Sequence, residues 1–374
     1  MKKKILIALS YVLTIALTCL LTVLLTGNWQ RIWPENKLTE LETLLDQYYV
    51  DDLDKDTLYD AAASAMVDAL PDRWSYYISA EEYAAYLENK NNAYVGIGIT
   101  VQAGPDGLGM EVIKVAEGSG AYVAGVQPGD VVIGVDDQDL TGMDMDAISA
   151  LIKGEAGTTV KLTVRRAGEN VSMTVERKLI RTPVATATML ENNVGLVTIA
   201  NFNTNCANES IAAVKQLLEQ GATALIFDVR NNGGGYTDEM VRLLDYLLPE
   251  GPLFRTVDYS GKESVSNSNA SCVDVPMAVL INGNSYSAAE FFAAAMAEYE
   301  AAVIVGEKTS GKGYFQTTFV LSDGSAVGLS IGKYYTPNGV SLEKVGITPD
   351  VEIALGENGV DAQLLAAIDA LAGE

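Results

Sequence analysis

Val279-Leu280-Ile281, Asn282-Gly283-Asn284, Ser285-Tyr286-Ser287, an alanine-rich run from Ala288 to Ala297, Val303-Ile304-Val305-Gly306 and Gly311-Lys312-Gly313-Tyr314-Phe315-Gln316 follow one another in the C-terminal third of the chain. A short apolar run, an Asn-Gly turn and a helix-forming segment predict strand, tight turn and helix, with the serines at the first helical turn. Backbone N–H groups at a helix start are unpaired and attract negative charge, so an acyl-transfer oxyanion can be held there without extra side chains.

The chain has 374 residues and no histidine. A Ser-His-Asp triad is therefore excluded, and the remaining general base for a serine is a lysine. Lys312 is the best placed, because glycines on both sides allow close backbone approach. If Tyr314 to Leu321 is a strand that Lys312 continues, Lys312 and Gln316 are four apart and share a face, and Gln316 can orient the amine. The requirement on this lysine is severe. A free lysine titrates near ~10.4, so only about one part in a thousand is neutral at neutral pH. Lowering that value to roughly 7–8 costs about 4 kcal/mol of ammonium stabilisation, which must come from burial. Ser287-Ala288-Ala289-Glu290 also fits the capping box Ser-x-x-Glu, with Ser285 as a second capping candidate.

The stretch resembles the carboxyl-terminal processing peptidases, serine peptidases of family S41 with a Ser-Lys dyad and a PDZ domain. The matching segments are Asn282 to Glu290, Val303 to Gln316 and Tyr334 to Val351. The resemblance implies Ser287 as nucleophile, Lys312 as base 25 residues later and Gln316 as the residue that steers it. It further implies an oxyanion hole from the backbone N–H of Ala288 and of Gly234 or Gly235, in the loop Asp228-Val229-Arg230-Asn231-Asn232-Gly233-Gly234-Gly235. Asp228, Arg230 and Asn231 read as supports for that loop. A glycine-rich loop between strand and helix could also cradle a phosphate, but no Gly-Lys-Ser/Thr follows.

The start of the chain carries Lys2, Lys3 and Lys4, then about 22 uncharged residues from Ile5 to Thr26, enough to span a bilayer. A retained signal anchor over 1–27 is expected, with the N-terminus inside and the catalytic part extracytoplasmic, in the cell membrane. Net charge is −24, with 49 acidic and 25 basic residues, and three of the latter stand before the anchor. Such a surface repels nucleic acid. Cys206 and Cys272 can pair in an oxidising compartment or stay as free thiols.

Leu38 to Val50, Asp56 to Leu70 and Glu81 to Asn89 predict helices, grouped as a helical cap over 36–92 that in the resembling family can mediate dimers. Asp72-Arg73-Trp74-Ser75 stands where that family has Asp-Pro-His-Ser. From 93 to 179 short strands with glycine turns resemble a PDZ domain. Its carboxylate loop falls on Ile97, Gly98 and Ile99, and Ala147 to Ile152 predicts a helix along the peptide groove. From 180 to 374 strands and helices alternate, giving an α/β core of the ClpP/crotonase-like kind.

The fold class expected is thus multidomain α+β: transmembrane helix, helical cap, PDZ-like β-barrel and α/β peptidase core. The activity expected is that of a membrane-anchored serine endopeptidase acting on protein substrates captured by their C-termini, with no metal or cofactor and a homodimer as a possible assembly. An inactive, membrane-tethered PDZ scaffold is the alternative, and an enoyl-CoA-type enzyme on a related layout is a third.

Overall fold

The computed structural model describes residues 11–18, 21–22, 36–269, 271–356 and 359–373. Two compact units divide after Ala69.

In the first unit, residues 11–18 and 21–22 are helical, and the remainder of the expected anchor over 1–27 lies outside the described residues. Among the described residues no helix is long and apolar enough to cross a membrane. Helix α1 (Lys37–Tyr48) starts at Asn36, whose side chain accepts from the Leu38 and Thr39 N–H groups, and α2 (Lys55–Asp68) starts at Asp54 in the same way. Lys55 bonds Asp46 at 2.7 Å. Neither helix buries a residue.

The second unit, Leu70–Glu374, begins with β1 (Tyr76–Ile78) and α3 (Ala80–Lys90), which opens with the capping box Ser79–Glu82. The expected helical cap over 36–92 therefore divides between the two units. An antiparallel ribbon, β2 (Ala93–Gly96) with β9 (Lys178–Arg181), carries the chain into and out of a small barrel. Between them run β3 (Ile99–Ala103), β4 (Met110–Val115), α4 (Gly120–Ala124), β5 (Val131–Val135), β6 (Gln138–Asp139), α5 (Met145–Ile152), β7 (Thr159–Arg166) and β8 (Glu169–Glu176). The sheet order is β3-β4-β5-β7-β8, with β6 on β5. Val112, Val132, Leu140, Ile148, Leu162 and Val164 fill the barrel.

The core follows as β10 (Ala185–Met189), β11 (Val194–Ile199), α6 (Cys206–Glu219), β12 (Ala224–Asp228), α7 (Thr237–Leu247), β13 (Gly251–Asp258), β14 (Glu263–Ser268), β15 (Met277–Ile281), α8 (Ala288–Glu298), β16 (Ala302–Gly306), β17 (Tyr314–Val320), β18 (Ala326–Tyr335), β19 (Val351–Glu352) and α9 (Ala362–Ala372). One sheet has the order β10-β11-β12-β15-β16-β19, parallel except for β10. Its central strands are apolar throughout because both faces are covered. Leu225, Phe227, Val279 and Ile281 face α6, α7 and α8, while Ile226, Ala278 and Leu280 pack with residues of α9. A second, antiparallel sheet, β1-β18-β13-β14 with β17 on β18, closes over α8 through Phe254, Phe291, Phe315 and Tyr334. Cys206 is buried and Cys272 exposed, and both thiols are free.

The barrel contains one deeply placed charge pair. Asp130, 1% exposed, accepts two hydrogen bonds from Arg166 at 2.7 Å and one from Gln127 N–H at 2.8 Å. Burial alone would raise the Asp130 carboxyl, but the Arg166 and Gln127 hydrogen bonds prevail and hold it below the ordinary aspartate value. Its contribution is therefore present above the unfolded pKa and lost as pH falls through the folded one. Arg166→Ala is expected to destabilise the protein by about 2–4 kcal/mol at pH 7. In thermal denaturation, the gap to wild type should close below about pH 4; a gap that stays constant into acid would contradict this assignment.

Candidate active site

Ser287 is set by the ends of two buried strands. After β15, Ser285 N–H donates to the Asn282 carbonyl at 2.9 Å, and the Asn282 side chain accepts from Asn284 N–H at 3.1 Å and from Asn231 N–H at 2.9 Å. The Ser285 hydroxyl donates to Val229 O at 2.7 Å, just past the end of β12. Ser285 thus fastens the turn to the neighbouring strand and does not cap the helix. Ser287 then takes φ 59°, ψ −126°. That conformation costs a non-glycine residue about 1–3 kcal/mol, and it places the side chain at the first turn of α8.

Glu290 holds this geometry. It is fully buried, and its carboxylate accepts from Ser287 N–H at 2.9 Å, Lys312 N–H at 2.9 Å, Gly311 N–H at 2.7 Å and the Thr309 hydroxyl. The capping box is present in this direction, and the Glu290 N–H is already taken by the Ser287 carbonyl at 2.8 Å. Burial pushes the Glu290 carboxyl upward, and the Thr309 hydroxyl with the three N–H groups resists that rise. Backbone N–H groups can only donate, so the surroundings are complementary to the ionised form.

The Lys312 amine lies over the rings of Trp74, 4.9 Å from its centroid, and Tyr286, at 5.9 Å. Burial lowers its pKa to about 8, and the charge of Lys90 assists, against Asp72, Glu290 and Glu343. The requirement for a sheltered amine is met. Ser287, Lys312 and Gln316 all line one cavity of about 550 Å³. Gln316 reaches it by a different route from the one expected. Lys312 precedes β17, and a bulge between Phe315 and Gln316 breaks the alternation, so the four-residue spacing is not the cause. The Gln316 amide N–H group donates to Tyr314 O at 3.2 Å and to the Ser330 hydroxyl at 2.9 Å, and Ser330 donates to Asp72 at 3.1 Å. Among the described residues no hydrogen bond joins Ser287, Lys312 and Gln316 side chains to one another.

The loop after β12 lies against Ser287. A Cβ on Gly234 would fall 2.9 Å from Ser287 Cβ and 3.0 Å from Ala288 N, and φ there is +83°. Its N–H is committed to the Asn232 side chain at 2.9 Å. Of the two expected glycine donors, Gly234 is thereby removed. Gly235 lines the cavity, and among the described residues its N–H and that of Ala288 meet no acceptor. Arg230 pairs with Asp228 at 2.7 Å and Asp361 at 2.8 Å, which fixes the loop base as expected.

Sequence reasoning missed the wall around the amine. The Asp72 carboxylate accepts from Trp74 N–H at 2.7 Å and from both Ser75 N–H and hydroxyl, which folds this segment back on the site. Trp74 stacks on Tyr286 with centroids 6.2 Å apart and donates its indole N–H to Glu343 at 3.3 Å. The Arg73 guanidinium lies 4.2 Å from the Trp74 centroid. The departure at Arg73-Trp74 was visible in sequence, but nothing there placed it beside Lys312. Tyr76, Tyr83 and Tyr86 complete an aromatic side of the cavity.

In the barrel, Ile97, Gly98 and Ile99 line a cleft of about 100 Å³ with Ser149 and Ile152 of α5. The carbonyls of Ile97 and Gly98 are tied back to Ala121 and Ala116 N–H groups, and the Ile97 side chain belongs to the barrel core.

Residues 193–353 match the family model for peptidase family S41, and 111–166 that for a PDZ domain. Over 367 residues the chain is 31% identical to the carboxy-terminal processing protease CtpA of Bacillus subtilis, spanning 95% of this chain and 78% of that protein. It is also 31% identical over 326 residues to a carboxyl-terminal-processing protease of Synechocystis, spanning 83% and 76%. Among solved structures, the photosystem II D1 C-terminal processing protease superposes with a TM-score of 0.49 at 27% identity, covering 91% of this chain and 92% of that one.

Glu290→Ala leaves the Ser287, Gly311 and Lys312 N–H groups and the Thr309 hydroxyl without their acceptor. It should cost roughly 3–5 kcal/mol, read as a thermal midpoint lowered by several degrees; an unchanged midpoint would show that the carboxylate holds nothing together. Lysine-selective NMR should find the Lys312 amine titrating near pH 8, and a midpoint above about 10 would remove the sheltering assigned to its surroundings.

Proposed function

The chain belongs to the carboxy-terminal processing serine peptidases of family S41, and from that premise we propose that it is a membrane-anchored, extracytoplasmic endopeptidase with Ser287 as nucleophile and Lys312 as general base. The observation that carries this reading is the single carboxylate of Glu290, which holds the backbone of both residues at the edge of one cavity.

Neutral Lys312 takes the Ser287 proton as Oγ bonds to the scissile carbonyl carbon. The carbonyl oxygen, now negative, is received by the N–H groups of Ala288 and Gly235. Collapse breaks the C–N bond, and the departing amine takes the proton from the Lys312 ammonium. Water then attacks the ester with Lys312 again as base, releasing the acid and restoring Ser287. The amine leaves the faces of Trp74 and Tyr286 to do this, a movement that the four-carbon stem of lysine permits. Gln316, anchored through its nitrogen, has its amide oxygen left to receive the amine. Protein substrates engage the barrel cleft at Ile97, Gly98 and Ile99 by their free C-termini. The basic start and the uncharged stretch from Ile5 to Thr26 support the anchor and its orientation.

Cleavage of an unfolded model protein by the full chain in detergent should fall on the order of 10³-fold or more in Ser287→Ala and in Lys312→Ala. Equal activity in either variant would end the proposed dyad. Below about pH 8 wild-type kcat/KM should rise close to tenfold per pH unit and level off above, following the neutral amine; a flat profile from pH 6 to 9 would argue for another base. A topology reporter fused after Glu374 should be active only outside the cytoplasm, and the chain should leave the membrane fraction when residues 1–27 are removed.

A further inference from the structure

The catalytic cavity differs in charge from the rest of the chain. Acidic residues outnumber basic ones 49 to 25, yet among the described residues no aspartate or glutamate lines this cavity, while Lys90 and Lys312 both do. Lys312 is accounted for by the proposed mechanism. Lys90 is not. It is the last residue of α3, and its amine lies over the rings of Tyr86, at 5.7 Å, and Tyr236, at 5.5 Å. Among the described residues it has no carboxylate partner, although α3 itself carries Glu81, Glu82 and Glu88.

The position of this lysine is held from both sides. The Lys90 carbonyl accepts from Thr204 N–H at 3.1 Å, and the Asn203 side chain donates to Asn89 O at 3.2 Å. The end of α3 is thus fastened to the loop that follows β11. An ammonium in the wall of a cavity, braced by two aromatic faces and lacking a carboxylate partner among the described residues, retains its capacity to pair with an anion that arrives there. Aromatic walls reduce the local screening, so the pairing is worth more than on open surface.

We propose that Lys90 is a specificity-determining residue that receives a carboxylate of the bound substrate, in the active-site cavity and separately from the barrel cleft. The carboxylate belongs to the polypeptide being cut, either its terminal α-carboxylate or an aspartate or glutamate side chain beside the scissile bond. This deepens the peptidase reading and rests on Ser287 marking the cutting site. It gives an acidic protein a means of drawing a carboxylate-bearing segment towards its nucleophile, against the repulsion of its own surface.

Matched fluorogenic peptides test this on the full chain in detergent: one pair differing by a terminal acid or amide, another, amidated, differing by glutamate or glutamine next to the cleavage site. At low salt, kcat/KM should favour the carboxylate form of one pair by about tenfold, shrinking as salt is raised. In Lys90→Met that Lys90-dependent factor should vanish, in Lys90→Arg it should survive, and in Lys90→Glu it should reverse. Recognition of a terminal carboxylate by the barrel is untouched by Lys90, so only the factor that changes with residue 90 counts, and the pair that responds identifies the source. If Lys90→Met slows both members of each pair alike, the residue is merely structural and the proposal is overturned. If wild type cuts none of the peptides, their binding to Ser287→Ala decides by fluorescence anisotropy. A Lys90-dependent preference in Kd then upholds the carboxylate site while the peptidase reading fails, and its absence overturns the site itself.

Discussion

A single buried carboxylate organises the catalytic region. Glu290 joins the start of α8 to the Thr309–Lys312 loop through four hydrogen bonds, and Thr309 in turn accepts from Ile347 N–H at 2.7 Å, which extends the link towards β19. Each hydrogen bond to a charged group contributes about 1.5–3 kcal/mol. Together they exceed the roughly 1–3 kcal/mol of backbone strain at Ser287 and offset part of the cost of burying the charge. The capping reading and the functional reading of Ser-x-x-Glu are therefore the same structure seen at two scales. Glu290 caps, and by capping it brings the backbones of Ser287 and Lys312 to a common anchor.

Opposed terms set the state of Lys312. A pKa near 8 in place of 10.5 corresponds to about 3 kcal/mol against the ammonium. Trp74 and Tyr286 act in both directions, since their bulk excludes water while their faces attract a cation by up to about 2 kcal/mol when desolvated. Exclusion of water dominates. The same two rings thus both shelter the amine and hold it against their faces.

Much of this was legible in the sequence. The apolar run, Asn-Gly turn and helix-forming segment over 279–297 identified β15 and α8, and the alternation of strands and helices gave the α/β character of the core, because a parallel sheet covered on both faces writes nearly continuous apolar strands. The absence of histidine forced attention onto a lysine, and the Asn-Gly turn placed Ser287 at the start of a helix, where the structure has it. What escaped was contact between distant segments. Trp74 lies 238 residues before Lys312 in the chain, and no local pattern pairs them. The bulge at Phe315/Gln316 defeated an argument from spacing, since one extra residue inverts which face a side chain takes. The choice between Gly234 and Gly235 turned on a side-chain acceptor, Asn232, that sequence could not orient.

The barrel and the catalytic loop meet through a continuous set of hydrogen bonds. Asn92, the residue before β2, exchanges side-chain hydrogen bonds with Asn201 at 2.9 and 3.1 Å and donates to Thr204 O. One residue further, Phe202 N–H donates to Gly234 O at 2.8 Å and Phe202 O accepts from Tyr236 N–H at 2.8 Å, on either side of Gly235. The ribbon that carries the barrel is thus two residues of chain from the loop beside Ser287. Among the described residues the Asn203 side-chain oxygen, at this same junction, is the buried polar atom left without a partner. Such an orphan costs about 1–3 kcal/mol relative to a satisfied group. Asn92, Asn201 and Phe202 thus connect the ribbon that bears the barrel to the backbone that flanks Gly235, within the second unit.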